Sequence, residues 1–251
     1  NWTAAADRQH FENALFFDDA GRVAAYGEYW KWLWERSAAI DVNNPPAKPV
    51  LEPRADDELR RGADLPPAPL PSARRVRFND AELPAEAFSP WNAEPYIVKA
   101  LDAARVSIDV ANFSFTSAPI RDALLRAKER GVIIRLALDA NQFEYLKEMR
   151  ELVALGFDVR LSKGKDGRRG VQHNKLAVLD GKLVQTGSHN WTTNGNKNNY
   201  ENILFLDAPD DVAAYAAYFE RIWGQGFEPR DVSTGQEFLP EGAIPAPGSP
   251  W

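Results

Sequence analysis

The first 34 residues of this chain recur near its end. Laid without a gap, residues 1–34 over residues 190–223 give 14 identities in 34 positions, where composition alone gives about two or three. The matches include Asn-Trp-Thr at both starts, Glu12-Asn13 with Glu201-Asn202, and Val-Ala-Ala-Tyr beginning at Val23 and Val212. Self-similarity of this kind marks a structural unit used twice. Residues 1–41 therefore read as the carboxyl-terminal remnant of a first unit, and residues 72–227 as a second, nearly complete one.

Proline separates the two. Eleven of the 18 prolines lie between Pro45 and Pro95, a density that sustains neither a long helix nor a central strand. Residues 42–71 read as a Pro-rich linker, with one short strand at residues 76–78 beyond it, and residues 228–251 as a Pro-containing tail. Between linker and tail the pattern alternates. Helical spacing at residues 94–104 gives way to the strand-like residues 106–115, then to a helical stripe through Ile120, Leu124 and Leu125. The apolar run 132–139 reads as a buried strand, and residues 143–155 as one helix. Short strands follow at 157–161, 175–179, 182–186 and 201–206, with a final helix over 211–223. Such alternation predicts an α/β fold, a layered sheet flanked by helices.

Composition removes several chemistries. There is no cysteine, hence no disulfide framework, thiolate metal site or cysteine nucleophile, and three histidines are too few for a multi-histidine metal centre. No apolar run reaches the ~18 residues that cross a bilayer. With 36 Asp+Glu against 30 Lys+Arg, the chain lacks bulk affinity for polyanions, though a local basic site remains open.

The chemistry is concentrated in QHNKLAVLDGKLVQTGSHNW. His173, Lys175 and Asp180 are spaced H-x-K-x4-D, and Gly187-Ser188-x-Asn190 follows after six residues. Two strands joined by the turn Asp180-Gly181 form a hairpin, which brings His173 and Lys175 together with Ser188 and Asn190. An ammonium, a hydroxyl, an amide and an imidazole at one spot suit a phosphate: three bind its oxygens, and the imidazole attacks or donates a proton.

With every fixed position of H-x-K-x4-D-x6-G-S-x-N filled, the chain resembles the phospholipase D superfamily over about residues 76–223, plus the remnant at 1–34. The resemblance implies a phospholipase D-like layered fold: a mixed β-sheet flanked by helices, in two pseudo-symmetric repeats of which the first is only partly present. It implies a catalytic set of His173, Lys175, Asp180 and Glu201. His173 is then one of two histidines, the nucleophile forming a phosphohistidine or the acid protonating the leaving oxygen. Lys175, Ser188, Asn190 and the remnant's Asn1 hold phosphate, and Glu201 orients the catalytic imidazole. Asp180 supports the hairpin more than the chemistry. No metal or other cofactor is required, because cationic side chains do the electrostatic work. His189, inside the GSxN, and His10, which aligns with Asn199, are given no catalytic part.

The second histidine projects 17 residues before Asn1 (190 − 173), outside the sequence. The chain is therefore expected to be the carboxyl-terminal part of a two-motif protein, completed by a missing amino-terminal half, another chain or a homodimer partner. Residues 160–175 carry six Lys or Arg against one Asp. Lys163, Lys165, Arg168 and Arg169 there are candidates for contact with a nucleic-acid backbone, and the glycines among them let the loop wrap a strand. The expected activity is a metal-independent endonuclease acting on DNA or RNA. The alternative is a phospholipase D or transphosphatidylase, for which Trp91, Phe113, Phe115 and Trp191 are candidates for an apolar entrance.

Overall fold

A computed structural model describes residues 11–35, 71–90, 92–164 and 170–229. Asn1, His10, Trp91, Lys165, Arg168, Arg169, most of the linker and most of the tail lie outside them.

Helix α1 (Ala20–Glu35) comes first, followed by a two-stranded hairpin of β1 (Arg75–Phe78) and β2 (Ala81–Pro84). A seven-stranded sheet then forms in the order β3-β9-β8-β7-β4-β5-β6. Its strands are β3 (Glu86–Ser89), β4 (Ser107–Asn112), β5 (Ile133–Asp139), β6 (Asp158–Ser162), β7 (Lys175–Leu179), β8 (Leu183–Gly187) and β9 (Glu201–Leu206). The run β4-β5-β6 is parallel, and the pairs from β4 through β7, β8 and β9 to β3 are antiparallel. This is the layered sheet that the α/β pattern predicts, and its mixed directions are those the resemblance implies.

Helices cover both faces. On one lie α2 (Ala93–Ala103), α3 (Ala118–Glu129), α4 (Ala140–Tyr145) and α5 (Lys147–Ala154), which bury Ile97, Leu101, Ile120, Leu124, Phe143 and Leu152 against inward residues of the strands. On the other lies α7 (Pro209–Gln225), whose Val212, Tyr215, Phe219, Ile222 and Trp223 pack on Leu176, Val178, Val184, Leu204 and Leu206. Leu176 and Val178 are two apart, as the period of a strand requires for one face. Each of these large side chains contributes about 1.5–3 kcal/mol on leaving water.

Three details differ from the sequence expectation. Residues 143–155 form two helices and not one. Leu146, extended at φ −95° and ψ 110°, ends α4 and begins α5, and Arg150 donates to the carbonyls of Phe143 and Glu144 beside the break. β2 and β3 were hidden by prolines, which stand at the end of β2 and just after β3, so neither interrupts a ladder. Between β8 and β9, where the sequence pattern marks no element, lies a short helix, α6 (Thr193–Lys197), at whose start the Thr192 hydroxyl accepts from the Gly195 amide.

The amino-terminal segment packs across this sheet. Phe11 bridges Gln172 in parallel, and residues 12–19 belong to neither helix nor strand. In α1 the buried residues are Arg22, Ala25, Tyr29 and Trp32, with the Tyr29 ring stacked on Phe88 at 4.3 Å. Two hydrogen bonds join the halves reciprocally. Tyr26 donates to Asn202 Oδ1 at 2.9 Å, and Tyr215 donates to Asn13 Oδ1 at 3.2 Å. Tyr26 and Tyr215, like Asn13 and Asn202, occupy matched positions of the repeat.

Candidate active site

The β7–β8 hairpin sets the geometry. Its turn residues Asp180 and Gly181 are both left-handed, at φ 53° and 60°, and the Lys182 amide donates to Leu179 O, so three residues connect the paired Leu179 and Leu183. The Asp180 carboxylate accepts from the amides of Arg105, Val106 and Ser107 and from the Asn79 side chain. Burial pushes its pKa up, but these donors outweigh burial and hold it below the usual carboxylate range. The five-residue strand β7 separates Asp180 from Lys175 by roughly 16 Å. Asp180 therefore stands apart from the other residues of the implied catalytic set and secures the far end of the hairpin.

At the near end, Gly187 has φ 138°, and a Cβ there would lie 2.2 Å from the Asn202 carbonyl oxygen. Only glycine lets β8 press onto β9 at this point. Ser188 follows. Its amide donates to Asn202 O, and its hydroxyl donates to Glu201 Oε2 at 2.5 Å while accepting from the Asn202 amide. Asn190 Oδ1 is buried with no hydrogen-bond partner among the described residues.

His173 sits two residues before β7, where its amide donates to Phe11 O while the Phe11 amide donates to Val171 O. Its Nδ1 is 3.0 Å from Glu12 Oε1. This corrects an expectation: the carboxylate on His173 is Glu12, from the amino-terminal segment, and Glu201 bonds Ser188 instead. Burial raises the Glu12 pKa, but the hydrogen bond and charge of His173 outweigh it, and the net direction is down. A carboxylate accepting at Nδ1 assigns the proton to that nitrogen and makes Nε2 the basic nitrogen of the ring.

Lys175 is buried beside it. Its Nζ donates to His173 O and lies 5.2 Å from the centroid of the Phe113 ring, whose edge meets the imidazole at 4.7 Å. Burial depresses the ammonium to about 8, opposed by the carboxylates of Glu12, Glu201 and Asp139. An anion bound beside such a lysine favours its charged form. Asp139, at the end of β5, is fully buried and accepts from the Gln172 amide at 2.9 Å, so it fixes the residue preceding His173. Burial lifts its pKa to about 6, against the amides of Gln142, Gln172 and Asn141. Phe113, one of the apolar-entrance candidates, does stand against His173 and Lys175; Asp139 as the site's anchor was not singled out, and a strand-end carboxylate was the available signal for it.

The remaining expected residues divide. Phe115, Trp191 and His189 are buried in the fold, which removes Phe115 and Trp191 as an apolar entrance. Burial lowers the His189 pKa to about 4. Arg160 donates to Trp223 O and lies over the Trp223 ring. Lys163 begins the basic loop. Gly164, at φ 73°, lies so close to Val171 that a Cβ would meet its carbonyl at 2.6 Å. Both ends of that loop are thereby pinned within two residues of Gln172 and His173.

Comparison with known proteins gives consistent results. The family model described as "Cardiolipin synthase, PLD-like domain" matches residues 97–223. The mitochondrial cardiolipin hydrolase of Canis lupus familiaris is 32% identical over 212 residues, covering 83% of this chain and 77% of that protein. The phospholipase D of Rickettsia conorii is 32% identical over 50% of this chain and 62% of its own length. Several other curated relatives are matched over half to two thirds of their length. Among solved structures, the phospholipase D family member Nuc from Salmonella typhimurium aligns with a TM-score of 0.53 at 26% identity, over 58% of this chain and 97% of that one. On the family model, the identity to curated relatives and the shared fold together, the chain belongs to the phospholipase D superfamily.

Proposed function

We propose that the protein is a metal-independent phosphodiesterase working through a phosphohistidine, and that its substrate is a nucleic acid cleaved at internal bonds. The observation that carries this reading is the His173 imidazole held at Nδ1 by Glu12, with the buried Lys175 ammonium two residues along the same chain.

In this mechanism one histidine attacks phosphorus through Nε2 as the bond to the leaving oxygen breaks, and a second histidine protonates that oxygen. The second histidine then takes a proton from water, which attacks the phosphohistidine and frees the first. His173 fills one of these roles. Lys175 and the Asn190 amide group hold the nonbridging oxygens, with Ser188 assisting and Asn1 as the counterpart of Asn190. Glu12, from the remnant, serves the histidine of the second repeat. By the same correspondence Glu201 serves the histidine of the first, so the corrected role of Glu201 is crosswise. The second histidine comes from a first repeat.

Nucleic acid is favoured by the basic loop, whose ends are fixed beside His173 and whose Lys163, Lys165, Arg168 and Arg169 suit neighbouring phosphates. A lipid phosphodiester is the second reading, favoured by relatives called mitochondrial cardiolipin hydrolase. The test compares full-length protein with His173→Ala in EDTA, on oligonucleotides, on the p-nitrophenyl ester of thymidine phosphate and on cardiolipin vesicles. Loss of both nucleotide activities makes His173 the nucleophile. Loss on the oligonucleotide alone makes it the acid, since nitrophenolate departs without a proton. Oligonucleotide cleavage indifferent to the substitution refutes the mechanism, and faster turnover of the vesicles replaces nucleic acid with lipid.

A further inference from the structure

The motif leaves the position between His173 and Lys175 open, and Asn174 fills it with a side chain that is 1% exposed. Its contacts converge on the segment that carries Glu12. Asn174 Nδ2 lies within donating distance of Phe11 O at 3.1 Å, of Gln172 Oε1 at 3.0 Å and of the Tyr218 hydroxyl at 3.3 Å. Asn174 Oδ1 accepts from the Asn13 side chain at 2.8 Å. The Tyr218 hydroxyl in turn donates to Glu12 O at 2.9 Å. One amide group therefore holds residues 11 and 13 directly and residue 12 through α7.

The backbone does not do this on its own. The isolated bridge to Gln172 is made at Phe11, and residues 12–19 belong to neither helix nor strand, so no ladder sets where Glu12 points. Phe11 packs into the cluster beneath α7, and Asn13 is bound on the same side by Asn174 and Tyr215. Glu12, between them, turns the other way to the imidazole, as alternation along an extended chain requires.

We propose that Asn174 is a positioning residue of the reaction: by holding residues 11–13 it keeps the Glu12 carboxylate on Nδ1 of His173, and with it the tautomer of the ring. The inference rests on the phosphohistidine reading for the part His173 plays, and adds the group that holds the partner of His173 in place. Burying an amide costs free energy unless its groups are paired. Here its partners are Phe11, Asn13, Gln172 and a hydroxyl bound to Glu12. Gln172 Oε1 also accepts from the Asn174 backbone amide at 2.7 Å, and the Gln172 amide donates to Asp139, so the grip is anchored on the end of β5. Asparagine suits the position because it both donates and accepts without charge. A carboxylate there would repel Glu12, and an ammonium would compete with His173 for it.

Ring ¹⁵N shifts of His173, assigned by their loss in His173→Gln, report which nitrogen carries the proton. In the 251-residue chain with the ring neutral, Nδ1 should read as protonated and Nε2 as bare. Asn174→Leu, close in volume and without polar groups, should move the ring toward the Nε2–H form that free histidine favours. On the p-nitrophenyl ester of thymidine phosphate, full-length Asn174→Leu should lose about ten- to a hundredfold in kcat with KM within about twofold, short of the roughly ten-thousandfold lost when a tautomer-setting carboxylate is itself replaced. In a Glu12→Ala background, Asn174→Leu should change neither the ring nor kcat further, because it acts through that carboxylate. Should Asn174→Leu fail to fold, Tyr218→Phe carries the same test: it deletes only the hydroxyl on Glu12 O and should move the ring in the same direction. Two results overturn the proposal. One is a folded Asn174→Leu chain, or in its place Tyr218→Phe, whose ring keeps the parent shifts. The other is a loss of kcat as large in the Glu12→Ala background as in the parent, which makes Asn174 a packing residue only. The ring shifts need no turnover, so a failure of the phosphodiesterase reading shows in the activity and a failure of this inference in the ring.

Discussion

Asp180 supplies the third letter of the motif, and its replacement should injure the fold without injuring phosphate binding. Three backbone amides, of Arg105, Val106 and Ser107, end on its carboxylate, tying the turn of the β7–β8 hairpin to the chain that enters β4. Hydrogen bonds to a charged group contribute about 1.5–3 kcal/mol each when well buried. This carboxylate is partly exposed, and screening brings the total for all three to about 2 kcal/mol. Asp180→Asn keeps a residue that tolerates the left-handed turn and loses only the charge. Asp180→Ala loses the acceptor and adds about 1 kcal/mol of left-handed strain, about 3 kcal/mol together. At about 2–4 °C per kcal/mol for a domain of this size, the alanine variant should melt about 6–12 °C lower, and the asparagine variant, which keeps a neutral acceptor and loses about 1 kcal/mol, about 2–4 °C lower. The sign with pH follows from the depressed folded-state pKa: the contribution is present above the unfolded carboxylate value and disappears as pH falls through the folded one. Thermal melts by circular dichroism measure the first quantity, and phosphate affinity by phosphorus NMR the second. An alanine variant with an unchanged melting temperature and phosphate affinity weakened tenfold or more would refute the reasoning.

Three further outcomes follow from the site. Phosphate should bind more weakly as pH rises through about 8, where Lys175 loses its proton in the free protein; a flat titration from pH 7 to 10 would remove Lys175 from the binding set. Because the Glu12 pKa is lowered, its link to His173 is intact above the ordinary Glu value and is lost as pH falls through the folded one. Exchange of the amides of residues 11–17 should therefore accelerate on acidification in the parent and be independent of pH, once corrected for intrinsic rates, in Glu12→Gln. Gly187→Ala should cost several kcal/mol, on the order of the largest single-residue effects, because its Cβ meets the backbone of Asn202; soluble yield and urea midpoint report it, and a wild-type midpoint contradicts the packing described for β8.

The hairpin and its residues were legible because phosphate chemistry needs particular side chains at fixed positions, and a tight turn holds them in register. His173, Lys175, Ser188 and Asn190 could be placed at one end, and Asp180 at the other, before any coordinates. The pairing of His173 with Glu12 was not legible, since it spans 161 residues. The repeat marked Glu12 and Glu201 as equivalent carboxylates, but equivalence does not say which histidine each one serves. Local periodicity identified the helices at 93–103 and 209–225, whose stripes face one layer, and missed the break at Leu146, where Arg150 takes up the carbonyls beside it. The prolines at 84 and 90 concealed strands because propensity is silent on whether a residue sits at the end of a ladder or within it.

The crossed tyrosines carry a consequence for how such a sequence can drift. Asn202 accepts from Tyr26 and also donates, from its amide and its side chain, to the Ser188 hydroxyl. A change at Tyr26 therefore loosens a hydroxyl beside the phosphate site of the other segment, and a change at Tyr215 leaves Asn13, next to Glu12, without that donor. Ordinarily a duplicated element frees one copy to diverge. Here each copy holds the other's partner, so tolerated substitutions at these positions should arise as pairs that cross between the copies, Tyr26 with Asn202 and Tyr215 with Asn13, and not within either one.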